Sequence, residues 1–177
     1  EGSMKLNDMI RLDGAVSFGK WKFDGDADGL YTEYDEEAPI QTSYTYTLDG
    51  LFVGDQPQTA YVLGTTLTPM DGLRLQGIFK MYDKNYADWS PDSRELSGDA
   101  DRSQVWQAPA YNRLDLHAAY KLPKIAGYDM TLTGHLFNAL DAVYVQDAVD
   151  NSQYNGFGDK LHLAHNAEVF LGTPRYF

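Results

Sequence analysis

The residues best suited to chemistry form one acidic run, Asp24-Gly25-Asp26-Ala27-Asp28-Gly29-Leu30-Tyr31-Thr32-Glu33-Tyr34-Asp35. Acids at positions 1, 3, 5 and 12 with glycine at 6 match the D-x-D-x-D-G pattern of a calcium loop. Ca²⁺ takes six to eight oxygens, and alternating carboxylates on a tight turn deliver three of them. The candidate ligands are Asp24, Asp26, Asp28, Leu30 and Asp35. Asp stands where the bidentate Glu of such loops usually sits, and its shorter arm reaches less easily. No helical pattern flanks the run, so the reading is a calcium loop grafted on a hairpin. The alternative is a solvated acidic loop tip whose charge discourages aggregation. No other cofactor is required. His162 and His165 lie three apart in a stretch read as strand, hence on opposite faces, which spoils them as a metal pair. No nucleophile can be assembled with a base and an orienting acid, so the chain is not expected to be an enzyme.

The chain that must position these groups has 177 residues, 43% of them hydrophobic and 14% aromatic, with 14 basic and 26 acidic side chains and no cysteine. So many large apolar groups argue against disorder. A net charge of -12 repels a phosphate backbone, so nucleic acid is not an expected partner. Without cysteine there is no disulfide, thiolate metal site or cysteine nucleophile. Apolar runs are far shorter than the roughly 20 residues of a membrane-spanning helix. The first residues show neither a basic n-region nor an apolar h-region, which suggests a cytosolic protein or a mature or internal piece. The acidity is local: 24–37 carries seven acids and no base, 83–107 six acids and three bases, and 147–159 three acids. The chain between these stretches is almost neutral.

That neutral remainder alternates. In 111–122, Leu114, Leu116, Ala118, Tyr120 and Leu122 oppose Arg113, Asp115, His117 and Lys121. Leu73, Leu75, Gly77, Phe79 and Met81 oppose Arg74, Gln76 and Lys80, and Ile10, Leu12, Gly14, Val16 and Phe18 oppose Arg11, Asp13 and Ser17. Met130, Leu132, Gly134 and Leu136 oppose Thr131, Thr133 and His135; Leu161, Leu163, Ala167, Val169 and Leu171 oppose His162, Asn166 and Glu168; 61–67 alternates more weakly. A period of two marks a strand with one face in an apolar and one in a polar setting. The links alternate as well, with tight turns at 68–72 and 123–129 and the long acidic segments between. Short turns at one end and long polar loops at the other describe an outer-membrane β-barrel, with periplasmic turns and extracellular loops. Tyr82, Tyr86, Trp89, Trp106, Tyr111 and Tyr144 near the loop ends, and Tyr120, Tyr128, Phe170, Tyr176 and Phe177 near the turn ends, are expected to form interfacial girdles.

Further signals are APAYNRLDLHAAYKL, then LTGHLFNALDAVYVQDAVD with Asn138, Asp141 and Tyr144, and a final GTPRYF ending on Tyr176 and Phe177. In this order they resemble the C-terminal end of a TonB-dependent outer-membrane receptor of Bacteroidetes-like bacteria, and DGLFVGDQPQTAYVLGTTLTPMDGLRL extends the likeness upstream. The resemblance implies a 22-stranded barrel plugged by an N-terminal domain. Such receptors import ferric siderophores, cobalamin or glycans with energy supplied through TonB. It also implies a terminal aromatic read by the assembly machinery, with Phe177 sharing the odd parity of Leu161 to Leu171.

The expected fold is therefore all-β, an antiparallel transmembrane segment of about six C-terminal strands spanning residues 1–177, with the plug and the other strands absent from this chain. Six strands alone cannot close around a charged interior. In that barrel Arg11, Asp13, Arg74, Lys80, Arg113, Asp115, His117, Lys121 and Glu168 face the lumen, where they meet plug or ligand or simply pair with one another. The implied partners are outer-membrane lipid, the rest of barrel and plug, the TonB complex through the missing N-terminal part, the assembly machinery, a small-molecule ligand and a surface lipoprotein. Two alternatives stand beside this reading: a complete small barrel with a structural or adhesion role, needing two further strands within 31–51, and a soluble acidic β-sandwich binding glycans through Tyr and Trp.

Overall fold

The computed structural model describes residues 1–34, 39–94, 102–124, 126–152 and 162–177. The fold is all-β and antiparallel. Six strands form one sheet in the order β1 (Gly2–Lys5), β2 (Ile10–Phe18), β5 (Thr59–Met70), β6 (Leu73–Asp83), β9 (Tyr111–Lys121) and β10 (Thr131–Leu136). The other strands pair two by two outside it: β3 (Ala27–Tyr34) with β4 (Pro39–Tyr46), β7 (Asn85–Tyr86) with β8 (Gln107–Ala108), and β11 (Val145–Asp150) with β12 (Ala167–Leu171). Among the described residues the six-stranded sheet is open, with β1 and β10 at its edges.

Tight turns set the register at one end. Asn7 Oδ1 accepts the N–H groups of Met9 and Ile10, each at 2.8 Å, and so closes the β1–β2 turn. Asp71-Gly72 joins β5 to β6 with Gly72 at φ +80°, a region open to glycine. Pro69, which has no N–H to give a ladder, sits where the β5–β6 register slips between Leu67 and Met70.

The alternation becomes two unlike faces across the sheet. One cross-strand row runs Gly14, Leu63, Phe79, Leu114, and the next Leu12, Thr65, Gly77, Leu116, Leu136. The opposite face carries the rows Asp13, Gly64, Ile78, Asp115 and Arg11, Thr66, Gln76, His117, His135. The apolar face is the bare one: Val16 is 60% exposed, Phe18 69% and Leu63 53%. Monomeric soluble proteins rarely leave a contiguous apolar patch of more than a few hundred Å² uncovered.

The buried core lies elsewhere. Leu48, Leu51, Ala87, Trp89, Val105 and Ala148 pack together, backed by Phe23, Tyr46, Tyr86, Trp106 and Val145. All come from outside the six-stranded sheet: the segments between β2 and β5 and between β6 and β9, and β11 after β10. Trp89 Nε1 donates to Phe52 O at 3.1 Å, and the Arg94 guanidinium lies 5.3 Å from the Trp89 ring centre. Gln104 spans the layer, accepting Phe52 N–H at 3.0 Å and donating to Gly50 O at 2.9 Å.

This layer corrects three expectations. The acidic segments are not merely solvated loops but hold the core. The aromatics of the loop end do not form an outward girdle: Tyr86, Trp89 and Trp106 pack in the core, Tyr144 is buried, and Tyr82 and Tyr111 pair on the polar face. On the apolar face at that end stand Phe18 and Tyr61, edge to face at 5.4 Å. The strand expected from Leu161 starts only at Ala167, because Ala164–Asn166 forms a 3₁₀ turn; Leu161 itself lies outside the described residues. His162 and His165 are therefore not strand residues.

Candidate functional site: a polar wall clamped to the C-terminal segment

Eight of the nine residues assigned to a charged face share it. Arg11, Asp13, Arg74, Lys80, Arg113, Asp115, His117 and Lys121 all fall on the polar parity of β2, β6 and β9. Glu168 does not belong with them. It pairs with Val149 on the separate β11–β12 hairpin, alternating with the buried Ala148 and Asp150, and so points away from the core. Alternation in its own strand placed it correctly as polar, but strand membership in the wall was wrong.

The centre of the polar face is Asp115, only 2% exposed. Its Oδ2 accepts from Lys80 Nζ at 3.2 Å and Arg113 Nη2 at 3.1 Å, and its Oδ1 accepts the Asn138 N–H at 3.0 Å. A carboxylate removed from water must have such partners, since desolvation would otherwise cost several kcal/mol. Arg113 Nη1 reaches on to Tyr144 Oη at 3.3 Å, and the Tyr144 ring stacks on Tyr111 at 4.4 Å. Tyr82 continues the series 5.2 Å from Tyr111. Farther along the face Arg11 pairs with Asp13 at 2.7 Å, both well solvated. Such a surface can hydrogen-bond a polar solute or a protein face.

Asn138, Asp141 and Tyr144 serve this wall from an irregular stretch after β10. Asn138 has φ +48° and Asp141 φ +53°, a region that Asn and Asp tolerate better than most residues. Asn138 Nδ2 donates to Ala142 O at 2.9 Å and Thr173 O at 3.1 Å, while Oδ1 accepts the Ala142 N–H at 3.0 Å. Asp141 Oδ1 accepts the Arg175 N–H at 3.1 Å. A Cβ on Gly172 would overlap the Tyr144 ring, so glycine is required for this contact. All three residues thus tie residues 172–175 to the wall. Asn138→Ala should lower stability by about 2 kcal/mol, from three lost hydrogen bonds of roughly 1 kcal/mol each with partial recovery through water. Asn138→Gly should not rescue it, since it relieves only the backbone. Urea midpoints check both; an unchanged midpoint for the alanine variant would remove the clamp.

Phe177 reaches the apolar face by a route the sequence did not indicate. Tyr176 pairs with Phe137 across an isolated bridge and stacks on it at 4.8 Å on the polar side. Phe177 follows with opposite parity, 93% exposed, and lines an apolar hollow with Leu67, Leu75, Leu116 and Leu136. The shared odd number with Leu171 plays no part, since Gly172–Pro174 interrupts the strand and Leu171 pairs with Val145.

Of the candidate calcium ligands, the described Asp26, Asp28 and Leu30 have partners of their own. Ala27–Tyr34 is a strand rather than an ion-wrapping loop, and Leu30 sits opposite Ser43 in its ladder. The reason is composition: the run holds Tyr31, Thr32 and Tyr34 and its partner strand Ile40, Thr42, Tyr44 and Thr45, residue types enriched in strands. Asp26 is occupied by the Arg102 fork at 2.9 and 2.7 Å and by the N–H groups of Leu48 and Asp49 at 3.0 Å each. Asp28 accepts from Thr45 Oγ1 at 2.9 Å, and Asp35 lies outside the described residues. Among the described residues no three His, Asp or Glu side chains gather to hold a metal.

Two carboxylates lock the loop layer. Arg102, with the backbone N–H groups of Asp49 and Leu48, holds the Asp26 carboxyl well below the usual carboxylate range. Burial alone would push Asp150 up, but hydrogen bonds from His162 and Ser152 and the His162 charge hold it below its ordinary value. Asp150 sits between the two, one carboxylate oxygen on each. Both folded-state pKa values are depressed, so their stabilisation is complete above the unfolded carboxylate value of about 3.9 and is lost as pH falls through the folded values. Tryptophan emission from Trp89 and Trp106 should shift red on acidification below about pH 4. Asp26→Asn should bring part of that shift to neutral pH; an acid response identical to wild type would take Asp26 out of the lock.

No protein-family model, curated protein or solved structure matches the chain.

Proposed function

We propose that the chain is a wall segment of a transmembrane β-barrel in a bacterial outer membrane, part of a TonB-dependent importer of a scarce nutrient of the ferric siderophore, cobalamin or glycan class. The observation that carries the reading is the pairing of a bare apolar sheet face with a core sited outside the six-stranded sheet. In water that arrangement leaves the largest apolar surface unburied, whereas in a bilayer lipid supplies the burial. The polar face then lines the lumen, the Asp71-Gly72 end is periplasmic, and the acidic layer is extracellular. Open edges at β1 and β10 leave amides and carbonyls that lipid cannot satisfy, which favours further strands of the same barrel as partners. The short connections and the placement of Asn138, Asp141 and Tyr144 fit the resemblance to the C-terminal part of such receptors.

On this reading the partners are lipid, the remaining barrel and plug, the TonB complex through the plug-bearing part, the assembly machinery, a small-molecule ligand and a surface lipoprotein at the acidic layer. The soluble sandwich needs a second sheet over the apolar face, and the described hairpins β3–β4, β7–β8 and β11–β12 instead contribute to the loop layer. The small complete barrel needs β3 and β4 in the wall, and among the described residues they pair with each other and not with the six-stranded sheet. The test is expression in the bacterial envelope together with the remaining barrel strands: the protein should fractionate with outer membranes, and Phe177→Ala should cut the inserted yield severalfold. Protein that stays in the soluble fraction without detergent would end the proposal.

A further inference from the structure

His117 and His135 face each other directly across β9 and β10 on the polar face, with Nδ1 to Nδ1 at 2.8 Å. At that separation one ring must carry its proton on Nδ1 and the other must offer a lone pair there, so the pair already shares one proton between two donor nitrogens. From these facing imidazoles we infer a two-nitrogen site for a borderline transition-metal dication of the Zn²⁺ or Cu²⁺ class. Zn–N bonds of about 2.0–2.1 Å at a tetrahedral angle set the nitrogens about 3.3 Å apart, so the rings need part by only about half an ångström. The dication takes the place of the shared proton: the ring that carried it on Nδ1 holds its proton on Nε2 instead, so two neutral imidazoles present Nδ1 lone pairs with no net proton released, and water completes the coordination.

Both rings are held for this role. Phe137 lies 5.5 Å from the His117 ring and 6.0 Å from that of His135, and is itself stacked by Tyr176. Locked rings lose little freedom when a ligand binds. The site opens into a hollow of about 370 Å³ lined by Arg74, Gln76, Thr133 and Phe137 as well as the two histidines, so water and metal have access. Arg74 lowers the affinity for a cation, and the Gln76 carbonyl, next to His117 in its row, is a weak third donor within the same row. The inference rests on the polar face alone and holds whether that face lines a lumen or meets water.

The test uses the purified full chain, with Zn²⁺ in calorimetry and Cu²⁺ in electron paramagnetic resonance. The expected result is one Zn²⁺ per chain, weakened at least tenfold by either His117→Gln or His135→Gln and unmoved by His165→Gln. The Cu²⁺ spectrum should carry superhyperfine splitting from two imidazole nitrogens. Without any variant, Zn²⁺ should protect both His117 and His135 from carbethoxylation. Wild-type affinity in either His117→Gln or His135→Gln, a one-nitrogen spectrum or absence of protection would each overturn the site.

Discussion

Leu63→Arg is expected to cost about 2–4 kcal/mol of stability in a bilayer, the penalty for a cation on the lipid side of a barrel near the midplane. Leu63 is central in β5 and 53% exposed, with Gly14 on one side and Phe79 on the other. Neither neighbour offers a carboxylate or an acceptor side chain. The control is Thr133→Arg, exposed on the opposite face beside Ala119. There the guanidinium meets a polar setting, and the change should stay within about 0.5 kcal/mol. The contrast is informative because both positions are open to solvent in the isolated fold. If water covered both faces, the two substitutions would be alike and nearly neutral. Unfolding midpoints in lipid, with inserted yield as a second reading, separate the cases.

Asp115→Ala is expected to destabilise by about 3 kcal/mol, at the lower end for breaking a buried ion pair, because Lys80 and Arg113 keep 25% and 26% side-chain exposure and regain some hydration. The carboxylate joins three parts of the molecule: β6 through Lys80, its own strand through Arg113, and the Asn138 turn through a backbone N–H. Removing it leaves two cations side by side and an amide without its acceptor. Asp115→Asn should cost less, since the amide oxygen still accepts from Asn138. Adding Lys80→Met to the alanine variant should recover part of the loss by removing one of the facing charges. Thermal unfolding followed by circular dichroism checks the order; an alanine variant as stable as wild type would remove Asp115 from the centre of the wall.

The wall was legible in the sequence because its signal is periodic. Arg113, Asp115 and His117 could be placed on one face from parity alone, and the registers of β6 with β9 carry that face across the sheet. Parity does not report which strands share a sheet. Glu168 was therefore assigned to the wrong surface, although its own alternation was read correctly. The loop core was invisible for a different reason: Leu48, Leu51, Ala87, Trp89, Val105 and Ala148 stand singly or in runs of two or three with no period. Only tertiary packing collects them. The D-x-D-x-D-G spacing did not reveal that 27–34 runs on as a strand, which Tyr31, Thr32 and Tyr34 favour. The histidine pair was half legible, since His117 and His135 both lay on polar faces, but their juxtaposition depends on the β9–β10 register.

The chain has no cysteine, so single cysteines placed along Thr59–Met70 report without background. Reconstituted in bilayers and spin-labelled in turn, Tyr61, Leu63, Thr65 and Leu67 should be relaxed by oxygen dissolved in lipid and shielded from a water-soluble nickel chelate. Ala60, Val62, Gly64 and Thr66 should show the reverse. A two-residue alternation between lipid and water is the result expected of a barrel wall. Equal exposure of both sets to the chelate would contradict it.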